Sequence, residues 1–340
     1  MDVAVFRSGL WAFVAKPDSS GGWVALRSQI DPLLLPVPKR PSILLIGDSR
    51  MTEVCAAERL EGELGEPRVT VRDAAMPGST PRVWPWLLRE LMGGETKWTL
   101  LVVGLASFDD DGETGDFTER GLDLSFLNPL TRVSDAPALA ANFEDPDRKR
   151  DVWLGALVKT FAWRHDQRDA LAHPWQRYVE LRFQYGSRRW GPYLGNPASL
   201  AGVRVDGDRI VGLPPERQDL EPLLRNIVWP YVPFVDNTAY RRQWLTKLVD
   251  LAADHGTTVV FVRLPSRVLM PANARPPREV VIDELRQRAN VRVLDRELAT
   301  PLERPEFFFD ALHANRAARE RFSQMLAEVL VRECAALLGR

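Results

Sequence analysis

Cysteine is nearly absent from this chain of 340 residues, which holds only Cys55 and Cys334. Two thiols make no disulfide framework, and both fall in segments of helical periodicity, so free, buried thiols are expected. Their scarcity does not fix a redox compartment, because a chain this long buries a core without bridges in either one. Long apolar runs are missing too: none approaches the roughly 20 residues that span a bilayer. The opening Met1-Asp2-Val3-Ala4-Val5-Phe6 lacks the basic start and long apolar core of a signal peptide. The chain as given is therefore expected to be soluble. Charge of one sign is lacking as well. The 45 Lys and Arg against 46 Asp and Glu leave a net charge of −1, with both signs interspersed, so nothing argues for nucleic acid or an anionic membrane as the main partner, and no nucleic acid is expected. No internal repeat or low-complexity tract is evident.

Apolar residues make up 45% of the chain, ample for one large domain or two. Tryptophan is abundant, at 11 residues. Trp84, Trp86, Trp153, Trp163, Trp175 and Trp190 fall in or near loops and the middle of the chain. Such rings stack on sugars, but packing in core and interfaces is the default expectation.

The organising stretch is Ile43-Leu44-Leu45-Ile46-Gly47-Asp48-Ser49-Arg50. Four consecutive apolar residues predict a strand buried on both faces, as in a parallel sheet. Gly47 permits a sharp turn, and Ser49 stands where a helix begins, with Met51, Val54, Ala57 and Leu60 as its apolar stripe. A hydroxyl there sees unpaired N–H groups that favour an oxyanion beside it. Further strands are expected at 68–73 and 98–104, with a helix around Trp86-Leu87-Leu88 between them. That alternation predicts parallel pairing through right-handed crossovers. From about 109 to 235 the pattern changes to acidic loops, a long helical stretch over 150–184 and a hairpin turning at Asp206-Gly207-Asp208. Alternation then resumes with a helix over 238–253, a strand over 257–264, a helix over 278–289 and a strand over 291–294. A closing helix over 315–338 carries Phe322, Met325, Leu326, Val329, Leu330 and Leu337 at helical spacing.

A serine nucleophile needs a base, a carboxylate to orient that base, and donors for the oxyanion. Asp310 and His313 stand three residues apart just before the closing helix. Open α/β sheets bind ligands beyond the carboxyl ends of their strands, where Ser49, Gly78 and Gly104 all fall. Ser49 and Gly78 are the natural backbone donors to an oxyanion. His255 suits a helix C-terminus, and His165 and His173 suit a surface. Asp109-Asp110-Asp111-Gly112-Glu113 lacks the spaced ligands of a calcium loop and is expected to be solvated. Arg50 and Arg263 are candidates to hold an anionic substrate group, or else to pair internally with Asp48 or Asp295.

These residues together resemble the SGNH hydrolases, a branch of the GDSL esterase and lipase group. Gly47-Asp48-Ser49 is similar to the family's first block with its nucleophile, and Gly78 in Met76-Pro77-Gly78-Ser79-Thr80 to the second block's oxyanion glycine. Asp310-Ala311-Leu312-His313 is similar to the closing Asp-x-x-His block. The likeness spans about 42–107 and 238–338. It implies an α/β, flavodoxin-like three-layer sandwich: a core of 42–108 and 236–340, an arm of 1–41, and a large, mainly helical insertion or cap over 109–235. One block departs. Gly104-Leu105-Ala106-Ser107 stands where Gly-x-Asn-Asp is usual, so a side-chain donor is missing unless Ser107 or the cap supplies it. Losing one such donor costs about 2.7–4 kcal/mol of transition-state stabilisation.

The likeness is greatest to SGNH domains of bacterial cell-envelope proteins. It implies a serine esterase or O-acyltransferase with a Ser49–His313–Asp310 triad, acting on acyl (acetyl) esters of an envelope polysaccharide or on another small ester. It implies no metal or cofactor, an extracytoplasmic location, and membrane association only through a segment absent from this chain. The alternative is a non-catalytic polysaccharide-binding or assembly protein on a degenerate SGNH frame. Glycoside hydrolysis by paired carboxylates has only the acidic loop behind it and ranks last.

Overall fold

The computed structural model describes residues 2–34, 41–65, 68–93, 98–110, 116–184, 193–229, 235–266, 268–269 and 278–339. Its chain divides into two compact units, one of Pro38–Ala75, Lys97–Gly115 and Leu194–Arg340, the other of Met1–Val37, Met76–Thr96 and Asp116–Tyr193.

The first unit holds the sheet. Strands β1 (Ser42–Ile46), β2 (Thr70–Asp73), β3 (Leu100–Leu105), β6 (Thr258–Arg263) and β7 (Val291–Val293) pair in the order β2-β1-β3-β6-β7. All four pairings are parallel. Counted within this sheet the order is 2-1-3-4-5, the doubly wound flavodoxin-like arrangement. The remaining strands, β4 (Arg204–Asp206) and β5 (Arg209–Val211), form the expected antiparallel hairpin. The fold is α/β, a parallel sheet flanked by helices, as the sequence led one to expect.

Alternate side chains explain the unbroken apolar runs. Ile43 and Leu45 of β1, Leu100 and Val102 of β3, and Val260 and Val262 of β6 join one core cluster. Opposite them, Leu44, Ile46, Leu101, Val103, Val259 and Phe261 are equally buried, so neither face of the sheet meets water. The first face is covered by α1 (Ser49–Val54), α2 (Ala57–Glu63) and, from the chain's end, Arg316–Cys334. Against β6 and β7 on the other side lie the helices Thr238–Asp254 and Val280–Arg286.

Several expectations need adjusting. The stripe Met51, Val54, Ala57 and Leu60 is buried, but on two helices rather than one. Cys55 and Ala56 are extended between them, and the Ala56 N–H freed by the break donates to Ser323 Oγ at 2.9 Å. The closing helix stops at Cys334, leaving Leu337 exposed while Phe322, Leu326, Val329 and Leu330 are buried. Gly47 is required for space rather than for a left-handed turn. A Cβ there would lie 2.6 Å from Met51 Cβ and 3.2 Å from the Gly104 carbonyl, so Met51 anchors α1 against the ends of β1 and β3.

The second unit is helical. Its N-terminal segment is no free arm: Phe6, Ala12, Ala15, Ala25 and Ile30 form a core with Trp163. Asp166 accepts hydrogen bonds from Trp11 Nε1 at 2.7 Å and from the Lys16 N–H at 2.8 Å, and it pairs with Arg177 at 3.0 Å. The stretch 150–184 is a chain of short helices, interrupted at Val158, Trp163 and His173. The units therefore group the sequence differently from the expected arm, core and cap. The helix Trp84–Met92 goes with the first part of the insertion, because it packs on Asp123–Leu130 and Leu26–Ile30. Residues 194–228 instead join the sheet unit, through Leu200, Val203 and Leu224 packed on Phe308 and Ala311.

Tryptophan follows the packing expectation in part. Trp84, Trp86 and Trp163 are buried, Trp153 and Trp175 are exposed, and Trp190 lies outside the described residues. Both thiols are free and buried, and burial pushes the Cys55 thiol up to about 12. No helix among the described residues is long and apolar enough to cross a membrane.

Gly47→Ala should lower stability by about 1–3 kcal/mol, because its methyl meets the Met51 stem rather than a side-chain tip. Thermal denaturation of the variant against wild type measures this, and an unchanged Tm would contradict the packing account.

Candidate active site

Ser49 is placed by the end of β1. Asp48 caps α1, its Oδ1 accepting from the Arg50 N–H at 2.9 Å, so the chain leaves the sheet edge and enters a helix at Ser49. The N–H groups of a first helical turn have no intrahelical acceptor.

His313 arrives from the other end of the chain on a loop that is almost a hairpin. Phe308 and Ala314 form an antiparallel bridge, and the Phe309 N–H donates to the His313 carbonyl at 3.0 Å. Within the loop Asp310 Oδ1 accepts the N–H groups of Leu312 at 2.8 Å and His313 at 2.7 Å. Beyond it Asn315 caps the closing helix, accepting from the Ala318 N–H at 3.2 Å, and its own amide donates to the Glu306 carbonyl at 2.8 Å. The loop is thus tied at both feet before any function is considered.

Three side chains then line up. His313 Nε2 lies 2.8 Å from Ser49 Oγ, and His313 Nδ1 lies 2.9 Å from Asp310 Oδ2. An ionised carboxylate only accepts, so the Nδ1 proton faces Asp310 and Nε2 is left to accept from the serine hydroxyl. The Phe309 ring stacks on the imidazole, centroids 5.7 Å apart and planes within 14°. Burial disfavours the imidazolium, but the hydrogen bond and charge of Asp310, with Glu53 and Asp48 behind them, outweigh it and raise the His313 pKa. Burial likewise opposes the Asp310 charge, yet His313 and two backbone N–H groups lower its pKa. A raised base beside a lowered acid is the electrostatic form of an orienting pair.

The other candidate residues are held elsewhere. Arg50 folds back onto Asp48, Nε donating to Oδ2 at 2.9 Å, so its charge is neutralised where it stands. Arg263 pairs with Glu303 rather than Asp295 and donates to Thr300 Oγ1 at 2.9 Å and to the Arg296 carbonyl at 2.5 Å. With side-chain exposure of only 6%, Arg263 is held as an internal brace. Ser107 Oγ accepts from the Asp109 N–H at 3.0 Å and lies 3.2 Å from Asp109 Oδ2, a local turn that uses up its hydroxyl. Gly78 belongs to the helical unit. Its φ of +79° requires glycine, and its carbonyl accepts from Arg120 at 3.2 Å.

The acidic loop differs from expectation in its described part. Asp109 and Asp110 are buried, Asp110 beside Arg241 at 3.3 Å, because Arg241 needs a counter-charge within the core. Asp111, Gly112 and Glu113 lie outside the described residues. His255 Nδ1 meets the Leu251 carbonyl at 2.9 Å at its helix end, and His165 and His173 are exposed. Among the described residues no group of three His, Cys, Asp or Glu side chains is placed to hold a metal. Sequence reasoning missed Phe309 and Arg217, whose guanidinium donates to the Phe309 carbonyl. The Phe307-Phe308-Phe309 run was a signal for the first; nothing in the local sequence marks the second.

No protein-family model matches the chain, and no curated protein matches it.

Because Asp310 raises the His313 pKa, the imidazole becomes a competent neutral base only as pH rises past a value above that of an ordinary histidine. Asp310→Asn removes the largest of the groups that raise the His313 pKa and should move its titration to lower pH, as read by NMR of the imidazole. An unmoved titration would break the pairing.

Proposed function

We propose that this chain is a serine esterase or O-acyltransferase of the SGNH type. The supporting observation is the 2.8 Å contact between Ser49 Oγ and a His313 whose other nitrogen is held by Asp310. In this reading Ser49 attacks an ester carbonyl while His313 Nε2 takes the hydroxyl proton. The tetrahedral oxyanion forms beside the first turn of α1, with the Ser49 N–H as a donor. His313 then gives its proton to the leaving alkoxide, and Asp310 keeps the ring in the correct tautomer and offsets the imidazolium charge. Water or a sugar hydroxyl attacks the resulting acyl-Ser49 and frees the enzyme. Acylated carbohydrate, acetyl esters of an envelope polysaccharide foremost, is the substrate class we favour from the likeness of the three motifs. An extracytoplasmic site of action follows from the same likeness.

A second reading, a carbohydrate-binding or assembly protein with a spent site, is favoured by one observation. Ala106 offers no side-chain donor at the third oxyanion position, its carbonyl is taken by Ser266 Oγ at 2.8 Å, and the neighbouring Ser107 hydroxyl is engaged by Asp109. A fluorophosphonate probe separates the two. The esterase reading expects labelling of wild type at Ser49, none of Ser49→Ala, and turnover of p-nitrophenyl acetate that falls by about 10³-fold or more in the variant. Equal turnover by wild type and Ser49→Ala, or a folded wild type that the probe never labels, rejects it.

A further inference from the structure

Residues 194–228 had the look of a cap over the substrate, but in the sheet unit they grip the loop that carries the base. The Leu200 N–H donates to the Phe308 carbonyl at 2.9 Å, Ser199 Oγ to the Glu306 carbonyl at 3.0 Å, and the Arg316 N–H to the Asn196 carbonyl at 2.8 Å. Leu200, Val203 and Leu224 close an apolar cluster on Phe308 and Ala311. These contacts fix how deep the loop sits. None of these contacts reaches the peptide between Phe309 and Asp310. That peptide sets where the Asp310 carboxylate points, and its carbonyl is the one that Arg217 holds.

We propose that Arg217 is a positioning residue for the base, locking the Phe309–Asp310 peptide so that Asp310 and the stacked Phe309 ring aim His313 Nε2 at Ser49 Oγ. The inference rests on the esterase reading only in calling His313 the base. Arg217 sits in the 3₁₀ segment Pro215–Leu220, at the one residue there with non-helical dihedrals, φ −120° and ψ 16°. That local departure turns the side chain out of the helical path toward the loop. Its guanidinium meets a neutral carbonyl, and no carboxylate among the described residues pairs with it. A cation kept without a counter-ion is an unusual choice for a merely structural strut, whereas a planar donor suits the fixing of a peptide plane. The substrate-binding candidates Arg50 and Arg263 are each neutralised by a carboxylate.

The sign of one measurement tests this in the full chain. The charged groups acting on the imidazole are Asp310 on its own loop, Asp48 at the N-cap of α1 and Glu53 in its last turn, and Arg217 from the 3₁₀ segment stands one peptide away on the Phe309 carbonyl. If Arg217 acted only as a nearby charge, its removal would raise the His313 pKa. As a positioning residue, its removal lengthens the Asp310–His313 bond and lowers that pKa. NMR titration of His313 in Arg217→Ala should therefore show a midpoint below wild type and loss of the downfield Nδ1 proton signal. Arg217→Lys, which keeps a donor, should restore both, with Arg217→Gln between. For p-nitrophenyl acetate, kcat should fall on the order of ten- to a hundredfold with KM within about twofold. A midpoint unchanged or raised, or a loss confined to KM, overturns the proposal. Should Arg217→Ala fail to fold, a lowered midpoint in Arg217→Gln beside a restored one in Arg217→Lys supports it, and equal midpoints reject it. The titration needs no turnover, so an inactive Ser49 would sink the esterase reading and leave this result standing.

Discussion

The carboxylate of Asp310 carries more of this site than any other group. One oxygen accepts two backbone N–H groups of its own loop, and the other meets His313 Nδ1. The same charge thus shapes the loop, selects the imidazole tautomer and raises the ring's affinity for a proton. Its place three residues before His313 shapes the loop as well as the chemistry.

That loop has a partner only because the sheet is parallel. Parallel strands all end on one edge, so a residue just after β1 and a residue delivered behind the last strand share an edge whatever their separation in sequence. Here the hydrogen-bonded Ser49 and His313 are 264 positions apart. The order β2-β1-β3-β6-β7 puts the switch in winding direction between β1 and β3, next to Ser49. Gly47 and Gly104 permit Met51 to wedge between those strand ends, which fixes the start of the helix bearing the hydroxyl.

Charge is handled economically around this edge. Arg50, Arg263 and Arg241 each meet a carboxylate within a few residues of a strand end, so these three cations serve the frame. Burying a guanidinium without such a partner is costly, which is why Asp110 lies inside rather than in solvent. The near-zero net charge of the sequence is consistent with this internal pairing: opposite signs are spent largely on one another.

Much of the architecture was legible because it depends on short-range patterns. Strand 43–46 declared itself by four apolar residues in a row, the hairpin by Asp206-Gly207-Asp208, and the base-bearing loop by the spacing of Asp310 and His313. Each is a local rule about burial, turn geometry or reach. What the chain alone did not disclose were choices among equivalent partners. Nothing near Arg263 distinguishes Glu303 from Asp295, and nothing near Ala56 foretells that Ser323 will take its N–H. The packing of the N-terminal segment on Trp163 and the gathering of 194–228 around Phe308 were likewise invisible, since apolar residues specify burial without naming their neighbours. The sequence by itself determined the elements and the chemistry available at the sheet edge. Only the tertiary structure decided which partner each buried charge meets, because contacts between distant segments depend on geometry that no local pattern encodes.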